Sequence, residues 1–263
     1  MLTLDRYTDA MAALKHPNLV QALYDEGSAV MADALITLHG DAHKKRRIVE
    51  FGVFTRKFFR EYEQTVFPAA LTPVLNERLA IGTADIVELG YRVTMNLTAD
   101  FAGIDRPAAT AAETETLLDL VKTFSIGATL AHSTLDHKTV NTAVANAMSE
   151  FEHTFLAPSI ARRQALIDAG ATLPNDVLST LLVQADKVAL EPDQLRREIA
   201  FFLQAGAHST ANSTVHALHE LFSWFGEDPS RRPLVLSDLN LLQRCVHESL
   251  RLHPASPVAL RRA

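Results

Sequence analysis

Cysteine is nearly absent from this sequence: 263 residues contain one, Cys245. A single thiol excludes an internal disulfide framework and any zinc site built from several thiolates, and it fits a reducing cytoplasm. Long apolar runs are missing too. No eighteen consecutive residues are apolar, so no membrane span is expected. The opening MLTLDRYTDAMAALKHP carries acidic residues and no apolar h-region, so no signal peptide is expected either. Basic charge is in deficit: 25 Lys and Arg face 31 Asp and Glu, a net charge of -6, the opposite of a nucleic-acid footprint. Strand-like alternation of β-branched residues is nearly absent, as are internal repeats, low-complexity tracts and linkers. The expectation is a cytoplasmic protein, one mostly helical domain over 1–263, with neither nucleic acid nor membrane as partner.

Helical periodicity fills the space these absences leave. In TADIVELGYRVTMNLTADFAGID the apolar residues Ile86, Leu89, Val93, Leu97 and Phe101 recur every three or four positions, with Thr83 as the expected N-cap and Gly103 as the stop. EPDQLRREIAFFLQAGAHSTANSTVHALHELFSWFGEDP repeats the pattern on a larger scale. Pro192 suits a first turn and Gly226 and Pro229 a last one, which predicts a long central helix over about 193–225. Further helices are expected near 7–16, 41–60, 110–130, 139–156, 158–169, 175–186 and 238–252. Only SPVALRRA hints at a strand.

Three stretches carry chemistry. In LHGDAHKKRRIVEFGVF, His43 and Arg47 lie four apart and share a helix face. The stretch is either a solvated basic face or a clamp for an anionic group, which a planar guanidinium fits. AGAHSTANS sits inside the long helix, where Gly206 costs roughly 1 kcal/mol relative to Ala and the hydroxyls of Ser209 and Thr210 can bond back to carbonyls. Such a segment serves either the close approach of a ligand or a helix–helix contact through small residues. In HESLRLHPASP, Glu248 and Arg251 can pair at i, i+3. His208, Asn212, His216 and Glu220 form a stripe at four-residue steps, read as a polar helix face rather than a metal site, because the third ligand is missing.

Taken in this order, the three stretches resemble the cytochrome P-450 superfamily of heme-thiolate monooxygenases, in its soluble bacterial branch. His43 and Arg47 match an H-x-x-x-R that contacts heme propionates, and Ala205 to Thr210 stand where the family carries A-G-x-[DE]-T-T. Glu248 and Arg251 match the structural E-x-x-R pair, and Arg261 resembles the basic residue reaching a propionate from the next strand. The resemblance implies a mainly α P450-like fold, a heme held by His43, Arg47, Gly206 and Arg261, and oxygen insertion into a small apolar substrate with electrons from a redox partner. His208, Ser209 and Thr210 would take the place of the catalytic acid and alcohols.

The sequence departs from the family in two places. The acid–alcohol pair is replaced by His208 and Ser209. The glycine-rich loop that supplies the iron's thiolate, which favours O–O cleavage, does not follow Arg251 within these residues, and Cys245 lies inside a helix without flanking glycines. The resemblance is therefore to a form cut short before the cysteine ligand and without the extreme amino-terminal elements, not expected to catalyse the reaction as given. Two other readings stand beside it: a heme-free descendant doing acid–base chemistry on a small molecule with His208, Ser209 and Thr210 lining its cavity, or a non-catalytic accessory that activates a partner enzyme.

Overall fold

The computed structural model describes residues 3–256 and 258–263. The chain opens with α1 (Tyr7–Lys15), strand β1 (Val20–Gln21) and the single turn α2 (Ser28–Met31), followed by α3 (Gly40–Glu50), α4 (Arg56–Glu61) and α5 (Phe67–Ile81). Then come α6 (Ile86–Ala102), α7 (Ala111–Ala128), α8 (His137–Phe151), α9 (Ala157–Asp168), α10 (Val177–Val183), α11 (Pro192–Glu227), α12 (Arg231–Ser237) and α13 (Leu239–Leu252). Strand β2 (Arg261–Arg262) returns antiparallel to β1, with Val20 opposite Arg262 and Gln21 opposite Arg261. Among the described residues no helix is long and apolar enough to cross a membrane.

Prolines and caps explain where the helices differ from expectation. α4 runs into α5 through a widened π turn, Tyr62–Val66, and α8 runs into α9 through another, Glu152–Leu156. Each turn stands two residues before a proline, Pro68 or Pro158. A proline has no N–H and crowds the carbonyl four residues back, and a π turn accommodates that crowding without ending the helix. The two helices expected at 139–156 and 158–169 are thus one rod. The single helix expected at 41–60 breaks instead, at a tight turn over Phe51–Phe54. It restarts at Thr55, whose hydroxyl accepts the Phe58 N–H at 3.2 Å. Helix α6 is capped by Asp85, which accepts from Val87 and Glu88, rather than by Thr83. Its stop is Gly103, at φ +89°. α11 starts in a reciprocal capping box of Glu191 and Gln194 and runs 36 residues, about three times the length of a common globular helix.

α11 is the axis, and its most extensive contact is with α6. A Cβ placed on Gly206 would lie 2.7 Å from Thr98 Cγ2 and 2.8 Å from Thr98 Oγ1, so the missing side chain lets the two helices meet. Just beyond, the Thr94 hydroxyl donates to the Ala207 carbonyl at 3.1 Å. On the other side the core continues through Ile199, Leu203, Leu117 and Phe124, with Phe124 edge-on to Phe151 at 5.6 Å. Arg163 ties the periphery together. It is 2% exposed and donates to Asp176 at 2.7 Å, Asp105 at 3.1 Å and the Ser179 hydroxyl at 3.1 Å.

Gly206→Ala should lower unfolding free energy by about 1–3 kcal/mol despite alanine's better helix propensity, because the extra methyl overpacks a rigid contact. Urea titration measures this, and adding Thr98→Ala should recover part of the loss. A Gly206→Ala protein as stable as the parent would show that the helices separate at little cost.

Candidate functional site

The carboxyl-terminal strand brings together residues that the chain keeps far apart. His43 and Arg47 on α3 and Arg261 on β2 line one cavity of about 560 Å³, closed by Leu35, Leu38 and Phe201. Its mouth therefore carries two guanidiniums and two imidazoles, those of His39 and His43, with no acidic side chain among the lining residues. The Arg47 guanidinium stacks over the Phe54 ring, 5.5 Å from its centroid, an arrangement that leaves its N–H edge free for an anion.

Leu35, Arg47 and Phe201 also line a second cavity of about 720 Å³, so the two adjoin at these side chains as an outer and an inner part of the hollow. The inner part is walled by Phe54, Phe58 and Tyr62 from the α3–α5 segment, Val93, Leu97 and Phe101 from α6, and Phe202, Ala205 and Gly206 from α11. Phe101 meets Phe54 and Phe58 edge-on at 5.5 Å each and Phe202 at 5.9 Å. The Tyr62 hydroxyl donates to the Leu97 carbonyl at 2.9 Å, and burial drives its pKa upward. Thr94, Thr98, Thr210 and Thr214 supply the few other polar groups.

His208, Ser209 and Thr210 do not share this hollow. Consecutive helical residues point about 100° apart, so only one of three neighbours faces a given side. Thr210 lines the hollow. Ser209 bonds back to the Ala205 carbonyl at 2.5 Å. His208 faces the opposite way, into a groove between α6 and α7 with Lys122 and Ser125, edge-on to Tyr91 at 5.4 Å. Its Nε2 is buried without a hydrogen-bond partner. Gly206 meets Thr98 at the helix–helix contact and also lines the hollow.

The remaining sequence candidates lie elsewhere. Glu248 and Arg251 form a two-pronged bond at 2.6 and 2.9 Å on an exposed face of α13. Cys245 borders a separate cleft between α11 and α13 with Glu220, Trp224 and Ser249. The polar stripe divides among partners: Asn212 accepts from the Tyr91 hydroxyl at 2.9 Å, His216 stacks on His253 at 4.4 Å, and His253 Nε2 meets Glu220 at 2.8 Å. Among the described residues no three His, Cys, Asp or Glu side chains are grouped to hold a metal ion.

Sequence reasoning missed the aromatic wall. The signal was present in FGVFTRKFFREYEQTVF, where six of seventeen residues are aromatic, but broken helices hid its periodicity.

No family model and no curated sequence matches the chain. Solved structures do. The retinoic acid-bound cyanobacterial CYP120A1 superposes with a TM-score of 0.71 at 20% identity over 97% of this chain and 60% of that one. Cytochrome P450 260B1 from Sorangium cellulosum gives 0.72 at 15% identity over 94% and 57%. P450BioI, solved in complex with an acyl carrier protein ligated to hexadec-9Z-enoic acid, gives 0.70 at 16% identity over 93% and 60%. The chain has the cytochrome P450 fold. It spans about 60% of the length of the P450 structures it matches.

A heme asks for cations at its carboxylate edge and apolar surface against its ring, and the hollow offers both. A thiolate is not among the lining residues, because Cys245 borders another cleft.

His208 should titrate below the ordinary histidine value, held down first by burial and then by the nearby Lys122 charge, against a backbone hydrogen bond to Val121 that raises it. The folded imidazole then takes up a proton less readily than the unfolded one, so stability falls as pH drops through the unfolded value of 6.5. Imidazole NMR checks this, and Lys122→Met should move His208 upward. His208 titrating among the exposed histidines would contradict the buried placement.

Proposed function

We propose that the hollow is a heme seat and that the chain forms part of a heme-dependent oxygenase acting on a small apolar substrate. The observation that carries this reading is the convergence of His43, Arg47 and Arg261 at one end of a hollow whose other end is aromatic. Two carboxylates on an apolar disc are the complement of that arrangement. Charge-assisted bonds to guanidinium are the strong kind, and the Phe54 ring carries the flat face of Arg47.

Bound with a thiolate, heme supplies oxygen activation. In this reading the thiolate comes from a segment outside these 263 residues, and electrons come from a redox partner. The chain's own part is to bind and orient. Arg47, Arg261 and His43 hold the carboxylate edge, Phe201 and Phe202 exclude water, and Ala205 and Gly206 let flat apolar surface lie against α11. Thr210, the polar group of the motif that faces the hollow, is placed to hold a proton there. The acid–base alternative asks His208 to face the hollow, and it faces away.

The test compares hemin with its dimethyl ester, using the 263-residue chain and absorbance titration. The free diacid should bind about tenfold or more tightly than the ester, a difference that Arg47→Gln with Arg261→Gln abolishes. Equal affinity for both porphyrins, with no effect of the variants, would overturn the heme seat.

A further inference from the structure

Behind the basic mouth, α3 is fixed to α11 by charges that nothing else in the site uses. Arg46, Glu50 and Glu198 are 6%, 0% and 0% exposed. Arg46 Nη1 donates to Glu198 Oε2 at 2.7 Å, and the Leu35 N–H donates to both Glu198 oxygens at 3.0 and 3.2 Å. Glu198 is therefore fully engaged. Glu50 is not: its nearest cation is the same Arg46 nitrogen at 3.9 Å, and neither of its oxygens has a hydrogen-bond partner.

The charge count does not balance with both carboxyls ionised. Two buried carboxylates would share one guanidinium that already serves Glu198, and burying an uncompensated charge is costly. Glu198 comes from α11, while the three segments in most extensive contact with α3, Leu35–Thr37, Phe51–Phe54 and Val177–Val183, bring no ionisable side chain. Among the described residues, the other cation whose charge acts on Glu50 is Arg47, one turn earlier on the same helix. Burial and the charge of Glu198 raise the Glu50 pKa to about 8, against the pull of Arg46 and Arg47. Burial likewise raises that of Glu198, against Arg46 and the Leu35 N–H. The unbonded carboxyl, Glu50, is thus the one that keeps the proton.

We propose that Glu50 is a proton-carrying positioning residue for Arg47: while Glu50 is neutral, Arg47 is free to face a carboxylate ligand in the hollow, and when Glu50 ionises it draws Arg47 back. This rests on the heme-seat reading for the identity of the ligand, but not for the behaviour of Arg47. The sign follows from linkage. The folded carboxyl holds its proton to higher pH than the unfolded one, so the contribution is fully present below the unfolded value and is lost as pH rises through the folded one.

The experiment follows three quantities in the 263-residue chain between about pH 6 and 9: hemin affinity, the Arg47 Nε–H resonance, and the infrared carbonyl stretch of a protonated carboxyl. Hemin affinity should fall about fivefold or more with rising pH in the parent and stay level relative to it in Glu50→Gln. The Arg47 resonance should move with the same midpoint, and the carbonyl band should vanish with it. Parallel hemin profiles for parent and variant would overturn the proposal, as would an Arg47 resonance indifferent to pH. If hemin does not bind at any pH while the Arg47 resonance still follows the carbonyl band, the heme seat fails and the positioning role stands. If Glu50→Gln does not fold, the parent's resonance and carbonyl band decide alone.

Discussion

The absence of a side chain at position 206 governs the architecture. Thr98 occupies the place where that side chain would be, so α11 can meet α6 at one depth and in one rotation about its own axis. That rotation assigns every other residue of the motif. Ala205 and Thr210 face the hollow, Ala207 is buried against Thr94, and His208 is turned toward α7. A residue with even one methyl at 206 would push the axis away, and the aromatic wall built from α6 and α11 would part along that line.

The long helix, its ends and its glycine were legible in the sequence, because a 3.6-residue apolar rhythm over more than thirty positions outweighs local noise. The stretch between α3 and α6 was not. Pro68 and Pro73 suggest breaks where the backbone widens or tolerates a proline inside α5, so a fifteen-residue helix went unseen, while the true break after Glu50, marked only by Gly52 and Thr55, was read as helix interior. Side-chain direction was harder still. Spacing showed that His208, Ser209 and Thr210 are adjacent, and adjacency on a helix means facing different ways. The basic cluster was legible as a group of charges, but Arg46 lies buried against Glu198 and Arg47 stands at the mouth. A partner 152 positions away decides which is which, and no local pattern contains it.

The hollow's two ends differ in kind, and Arg47 belongs to both. Its charged edge faces the basic mouth and its flat face lies on Phe54, which in turn packs on Phe101 and Phe202. Aromatic geometry and the charge at the mouth are therefore linked through one side chain. A change in the packing of Phe54 alters where the guanidinium stands.

The ribbon of β1 and β2 sets an order of events in the making of the protein. Gln21 finds its partner 240 residues further along the chain, one of the most distant pairings the fold contains, and closing so long a loop is slow to reward. The helical frame around α6 and α11 can assemble from contacts much closer in sequence. Arg261 reaches the mouth only when the ribbon closes. A growing chain on the ribosome thus has its aromatic wall early and Arg261 at the mouth late, so the basic mouth gains that cation only after β2 has docked.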